Sequence, residues 1–270
     1  MASSDAGPIL GLDHTTLVVE ALDSAVSTYE TLFAQSCTRR GAVEGLEWAC
    51  FTLANTALVL ATSGGEPSGL AAHLAHPAAA ARAVLGALGF AVADLQSAVR
   101  LLERRGLPAA GPALPWFGRL TTPLLPAAAR GLHLLLTEPG PGASPASATR
   151  LDHVVISSSD PERTVALLAG RLGLELRLDR SNPAWGTRLL FFRCGDLVVE
   201  VSHDLAAGIT DAADSLWGLT WRVPDVAASH ARLEAAGVPV SPLRVGRKPD
   251  TRLFTIRDHA AGVPTAFIAV

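Results

Sequence analysis

Alternation of apolar and polar residues divides the chain into short runs that recur in one order. From Gly11 the pattern predicts a strand over 12–19 and a helix over 22–34, with Val26, Tyr29, Leu32 and Phe33 on one face; strands over 46–53 and 57–61 follow. A second round predicts a strand over 85–92, a helix over 95–105 ended by Gly106, and a strand over 131–137. The third gives a strand over 150–157, a helix over 161–172 ended by Gly173, and strands over 188–194 and 197–202. The fourth gives a strand over 217–223, a helix over 226–236 ended by Gly237, and strands over 252–257 and 264–270. Residues 63–68 read as a Gly/Pro/Ser loop, and 70–84 as an alanine-rich connecting helix kinked at Pro77. Residues 1–10 read as a flexible leader and 139–149 (PGPGASPASAT) as a linker, which sets expected domains at 11–138 and 150–270.

The rounds are also related letter by letter. Gly11-Leu12-Asp13-His14 answers Arg150-Leu151-Asp152-His153, and Phe90-Ala91-Val92-Ala93-Asp94-Leu95 answers Trp221-Arg222-Val223-Pro224-Asp225-Val226. Self-similarity of this kind gives four modules arranged as two pairs. Strand side chains alternate faces, so His153 shares a face with Val155 and Ser157, and Glu200 with Val198 and Ser202. An imidazole and a carboxylate are poor choices for an apolar core, and are the groups that ligate divalent metals or move protons. The functional reading of His153 and Glu200 is a metal anchor, or a general base with its orienting partner. The bland reading is that they hydrogen-bond each other or hold Arg222, which shares a strand face with Gly218 and Thr220. An arginine there would neutralise Glu200 or bind an acidic ligand.

Other candidates carry less. Alternation puts Trp217, Leu219 and Trp221 on the face toward the helices, and His203 on the face opposite Glu200. His259 falls in the loop before the last strand; His73, His76 and His230 read as surface residues, and Gly246-Arg247-Lys248-Pro249 as a solvated basic turn. Trp185, after Asn182-Pro183-Ala184, is a candidate clamp for a flat ligand, and Trp116-Phe117 holds the matching place in the first half. His14 lies among small apolar residues, and the favoured reading there is a structural half filled by its own side chains.

Totals exclude several classes. Within 270 residues, 49% are apolar, yet no run approaches the ~20 uninterrupted apolar residues needed to cross a bilayer. The start has neither a basic n-region nor an apolar h-region, so a cytoplasmic location is expected. A net charge of −3 without a basic stripe argues against nucleic acid. Cys37, Cys50 and Cys194 are scattered, which excludes a cysteine-rich zinc module or disulfide scaffold. Neither a phosphate-binding glycine loop nor a serine-nucleophile elbow is present, so no nucleotide cofactor is expected.

The Leu-Asp-His heads of modules one and three, Gly195-Asp196-Leu197-Val198-Val199-Glu200, and Gly262-Val263-Pro264-Thr265 together resemble the vicinal oxygen chelate superfamily. That superfamily includes glyoxalase I, bleomycin-resistance proteins and extradiol dioxygenases. The resemblance implies an α+β fold of four βαβββ modules in tandem, paired into two cup-shaped eight-stranded sheets. It also implies a small organic ligand held in a cup, one divalent metal (Fe, Zn, Mn or Ni) where ligands suffice, and a homodimer as a candidate assembly. By the same resemblance, metal-using members draw one ligand from the first strand and one from the last strand of a module. Here His153 and Glu200 fit, whereas the other two positions of the second half fall at Gly218 and Ala266. In the first half only His14 fits, the rest being Val59, Ala87 and Leu135. The expectation is therefore a site in the second half, with Glu200 and His153 catalytic or metal-ligating and Arg222, Trp185, Thr220 and His14 touching ligand. As an enzyme it would be a lyase, isomerase or ring-cleaving dioxygenase rather than a typical glyoxalase I; its rival is a metal-free, drug-sequestering binder.

Overall fold

The computed structural model describes residues 7–43, 45–63, 69–74, 83–140, 144, 147–246, 250–258 and 260–269. Its first half runs β1 (Ile9–Val18), α1 (Leu22–Phe33), β2 (Arg39–Val43), β3 (Leu46–Thr52), β4 (Ala57–Ser63), α2 (Gly69–Leu74), β5 (Val84–Val92), α3 (Leu95–Arg104), β6 (Leu114–Trp116), β7 (Arg119–Pro123) and β8 (Leu134–Thr137). The second half runs β9 (Arg150–Ser157), α4 (Pro161–Val165), β10 (Glu175–Asn182), β11 (Thr187–Cys194), β12 (Leu197–Asp204), β13 (Ser215–Arg222), α5 (Val226–Ala235), β14 (Arg244–Val245), β15 (Arg252–Thr255) and β16 (Thr265–Ala269).

Two eight-stranded mixed sheets result, ordered β2-β3-β4-β1-β5-β8-β7-β6 and β10-β11-β12-β9-β13-β16-β15-β14. The orders are identical when the second is counted from β9. In each, the two first strands pair antiparallel at the centre (β1 with β5, β9 with β13) and the last strand of each module returns parallel beside its own first strand. This is the α+β tandem-module fold the resemblance implied.

Five strands escaped the sequence pattern: β2, β6, β7, β10 and β14. β2, β10 and β14 are exposed along nearly their whole length, and the short β6 and β7 carry Pro115 and Pro123, so none shows the buried-face alternation that marks a strand. The first strand begins at Ile9, inside the expected leader. The helix expected over 161–172 is α-helical only to Val165 and continues as a π-helix over Ala166–Arg171. The expected helix over 70–84 is observed as Gly69–Leu74; Pro77 and His76 lie outside the described residues, as do most of the 63–68 loop, residues 141–143, 145 and 146 of the linker, Arg247–Pro249 and His259.

Caps fix where helices begin. Asp94, Asp160 and Asp225 each accept a hydrogen bond from a backbone N–H in the first turn, satisfying a donor the helix leaves free. The helix-facing sides of the two sheets share one apolar core that includes Phe33, Phe51, Phe90, Val154, Phe192, Leu219, Trp221 and Phe267. Across it the Phe33 and Trp221 rings meet edge to face at 5.0 Å. The Tyr29 hydroxyl donates to the Ala261 carbonyl at 2.9 Å, and the Arg232 guanidinium donates to the Thr31 and Leu32 carbonyls at the end of α1. Trp217 differs from its expected place: it is the extra residue of a bulge between Leu216 and Gly218, and 55% of its surface stays exposed.

Because Trp221 is fully buried where the halves meet, Trp221→Ala should cost about 3–5 kcal/mol. Urea unfolding followed by circular dichroism measures this, and a loss below about 1 kcal/mol would mean that the ring does not join the halves.

Candidate functional site

The second site candidate begins with a bulge. In the β9–β13 ladder Thr220 stands opposite His153 and Trp221 opposite Leu151, so Asp152 is an extra residue without a partner. The bulge suspends strict alternation, and Asp152 and His153 come together although they are adjacent in sequence. The Asp152 Oδ1 lies 2.9 Å from His153 Nδ1, and Asp152 Oδ2 accepts from Arg222 Nε at 2.8 Å and also from Arg222 Nη2. Arg222 thus has Asp152 as a partner, a carboxylate that counting along the strands did not offer it. Burial would raise the Asp152 pKa, but hydrogen bonds from His153 and Arg222 with their charges outweigh it and hold the carboxyl below its ordinary value.

With Nδ1 held by Asp152, His153 presents Nε2 toward Glu200, whose Oε2 lies 3.7 Å away. The two side chains are 23% and 17% exposed, so the pair is reachable from solvent. Register explains the meeting: Glu200 pairs with Val155 and Val198 with His153, which puts His153 and Glu200 one pleat apart on adjacent parallel strands and on one face. Phe191 lies opposite Glu200 on that face, Leu189 opposite Ser202, and Ala266 opposite Thr220. Phe191, Leu189, Val198, Glu200, Ser202 and Ile268 are all partly exposed, while Thr220 is buried across from His153.

The same face of the first sheet is packed solid. Trp48, Cys50, Val59, Ala61, Ala87 and Leu135 form a cluster with Leu70, Ala71 and Leu74 of α2 and with Trp116 and Phe117 of the β6–β7 turn. His14 is fully buried there, with Phe117 edge-on at 4.7 Å. Its ring lies in the space a side chain at Gly89 would need: a Cβ there would come within 2.0 Å of the imidazole. Thr220 occupies the matching register position opposite His153, so His153 has no such slot. Nor do the described residues of the second half supply a plug like α2: residues 205–214 form turns and loop with Leu205 and Ile209 exposed.

The remaining candidates are placed as follows. Trp185 ends a 3-10 turn between β10 and β11, 41% exposed, with the Arg180 guanidinium 5.2 Å from its ring. His203 is buried and its Nδ1 lies 2.9 Å from the Ser158 carbonyl. His230 reaches the Ser241 carbonyl, and the His73 ring meets His133 edge-on at 4.8 Å. Burial, with the neighbouring His133, pushes His73 down to about 4. Asp152 and Asp13 are the site residues the sequence pattern missed. The one available signal was the repeated Leu-Asp-His, because strict alternation turns each aspartate away from its histidine.

As a metal centre the donor set is short. No group of three or more His, Cys, Asp or Glu is arranged to hold an ion among the described residues. Gly218 and Ala266 offer no donor, and a Cβ at Gly218 would lie 2.6 Å from the Pro264 carbonyl, so the strand packing closes the space where a ligating side chain would begin. His153 and Glu200 alone do not fit a resident divalent metal.

Residues 152–254 match the family described as Glyoxalase/Bleomycin resistance protein/Dioxygenase superfamily. The chain is similar in structure to a triple mutant of 4-hydroxymandelate synthase from Streptomyces coelicolor, at 12% identity and a TM-score of 0.70, covering 97% of this chain and 93% of that one. It is equally similar to a Mn(II)-bound glyoxalase from Novosphingobium aromaticivorans, at 12% identity and a TM-score of 0.70, covering 97% and 83%. A halotolerant catechol dioxygenase, BphC, matches at 11% identity and a TM-score of 0.64, covering 97% and 87%. No curated protein matches in sequence.

Acid should test the Asp152 cluster. A carboxyl held below its ordinary value of 3.8 stabilises the fold above that pH and stops doing so as pH falls through its lowered value. Asp152→Asn should therefore melt lower than the parent at pH 6, and its melting temperature should fall less steeply below pH 4. Parallel curves at all pH values would rule out a charged Asp152 as the centre of the cluster.

Proposed function

We propose that this chain, whose second half is a glyoxalase/bleomycin resistance protein/dioxygenase superfamily domain and whose whole length has the fold of that superfamily, binds a small organic molecule on the open face of the second sheet and handles one of its protons with His153 and Glu200. One observation carries this reading. The face that is packed solid in the first half is left partly exposed in the second, and there the imidazole and carboxylate stand 3.7 Å apart. That separation is longer than a hydrogen bond, so a ligand hydroxyl or carbonyl can reach both groups.

Roles follow from the bonding. Asp152 orients His153 through Nδ1 and is itself held by Arg222, so Asp152 and Arg222 are positioning residues. Nε2 of His153 donates to, or accepts from, the ligand, and Glu200 receives or returns the proton. Partly exposed Phe191, Leu189, Val198 and Ile268 supply apolar contact for the ligand body. Because the donor set does not fit a resident metal, no step is routed through one. Two neighbours bear on the metal question through their names, a Mn(II)-bound glyoxalase and a catechol dioxygenase, and metal analysis decides it for this chain.

Purified protein dialysed without chelator should carry well below one equivalent of Fe, Zn, Mn or Ni. In a thermal-shift screen of small aromatic and aliphatic carbonyl, phenol and acid compounds, ligands of the parent should lose their shift in Glu200→Gln and in the Glu200→Gln, His153→Ala double variant. Stoichiometric, dialysis-resistant metal would overturn the metal-free form of the proposal, and shifts unchanged in the double variant would overturn the site.

A further inference from the structure

We propose a second binding site, in the first half, for a small organic anion that carries one oxyanion group on an apolar body. The first sheet's cup is filled, but at its Asp13 end a cavity of about 470 Å³ remains open to solvent. Its apolar wall is Leu12, Ala57, Ala91 and Phe117, and its cations are Arg39 and Arg119.

The charges do not cancel. Arg119 donates through Nη1 to Asp13, whose other oxygen lies 2.9 Å from His14 Nδ1, so Asp13 is already held on both sides. Arg39 donates to the Phe117 carbonyl at 3.1 Å and makes no ion pair among the described residues, which leaves the cavity one positive charge in excess. The buried Nε of Arg119 has no hydrogen-bond partner, a donor that costs free energy unless something accepts from it. The two guanidiniums act on the cavity: they pull down the pKa of Cys50, which lines it, although burial is stronger and pushes the thiol up to about 11.

The cationic end is also built rather than incidental. Arg119 is held over the Phe117 ring at 4.3 Å, and Gly140 packs against its guanidinium so closely that a Cβ would lie 2.2 Å from Nη1. Phe117 keeps this place at a φ of +32°, a backbone region that strains a residue with a Cβ. A planar oxyanion matches two guanidiniums by charge and by donor geometry.

Calorimetric titration of the full chain with benzoate, inorganic phosphate and benzamide tests the proposal. Benzoate should bind saturably and benzamide should not; Arg39→Gln, an exposed position expected to fold normally, should weaken benzoate about tenfold, the usual size for a charged hydrogen bond. Gly140→Ala should weaken it too, by displacing the Arg119 guanidinium. Phosphate binding as well as benzoate supports an oxyanion site and shows that the apolar wall adds little. Absence of saturation by either anion, equal binding of benzamide, or no effect of Arg39→Gln would overturn it. Glu200→Gln should leave benzoate binding unchanged; loss there would place the anion on the second sheet and overturn this site without touching the proposed function.

Discussion

One extra residue at the head of each central strand governs the chemistry of this fold. Asp13 and Asp152 are bulge residues in the antiparallel ladders of β1 with β5 and of β9 with β13, and each bulge brings a carboxylate onto the histidine that follows it. A regular strand would send the two side chains to opposite faces of the sheet. Once together, each carboxylate also takes an arginine: Arg119 from β7 in the first half, Arg222 from β13 in the second. Burial opposes ionisation of both aspartates, and the paired hydrogen bonds and charges overcome it, so both remain anions.

From one device the halves take opposite courses. In the first, Gly89 leaves room for the His14 ring to lie flat on the sheet, and α2 with Phe117 closes over it. Burial then lowers the pKa of His14 despite its aspartate, and the imidazole belongs to a packed core. In the second, Thr220 takes the matching position, no helix among the described residues descends on the face, and His153 turns Nε2 toward Glu200. Side-chain size at one register position and the presence of a short helix thus separate a filled cup from an open one. The two halves nevertheless share a core through Phe33 and Trp221, so the filled half supports the sheet that carries the candidate site.

Modules, their order and most of their helices were legible because buried faces impose a period on the residues, and β1, β9, β12 and α1 show it. Edge strands such as β10 were not, since a strand exposed on both sides leaves no apolar alternation to read. His153 and Glu200 stood out as polar residues inside apolar strands; that both look into one cup was what the resemblance implied, and the β9–β12 register supplies the shared face. Trp217 misled that same count, because a bulge at its position turns it outward.

The sequence alone determined four related modules, two pairs of them, and a histidine and a carboxylate inside apolar strands of the second pair. Only the tertiary structure decided that Asp152 holds both His153 and Arg222, and that His14 is enclosed while His153 stays open. The reason is physical: composition and periodicity specify which face a residue takes in a regular strand. A bulge, the slot beside a glycine and the docking of α2 are products of pairing between segments far apart in the chain.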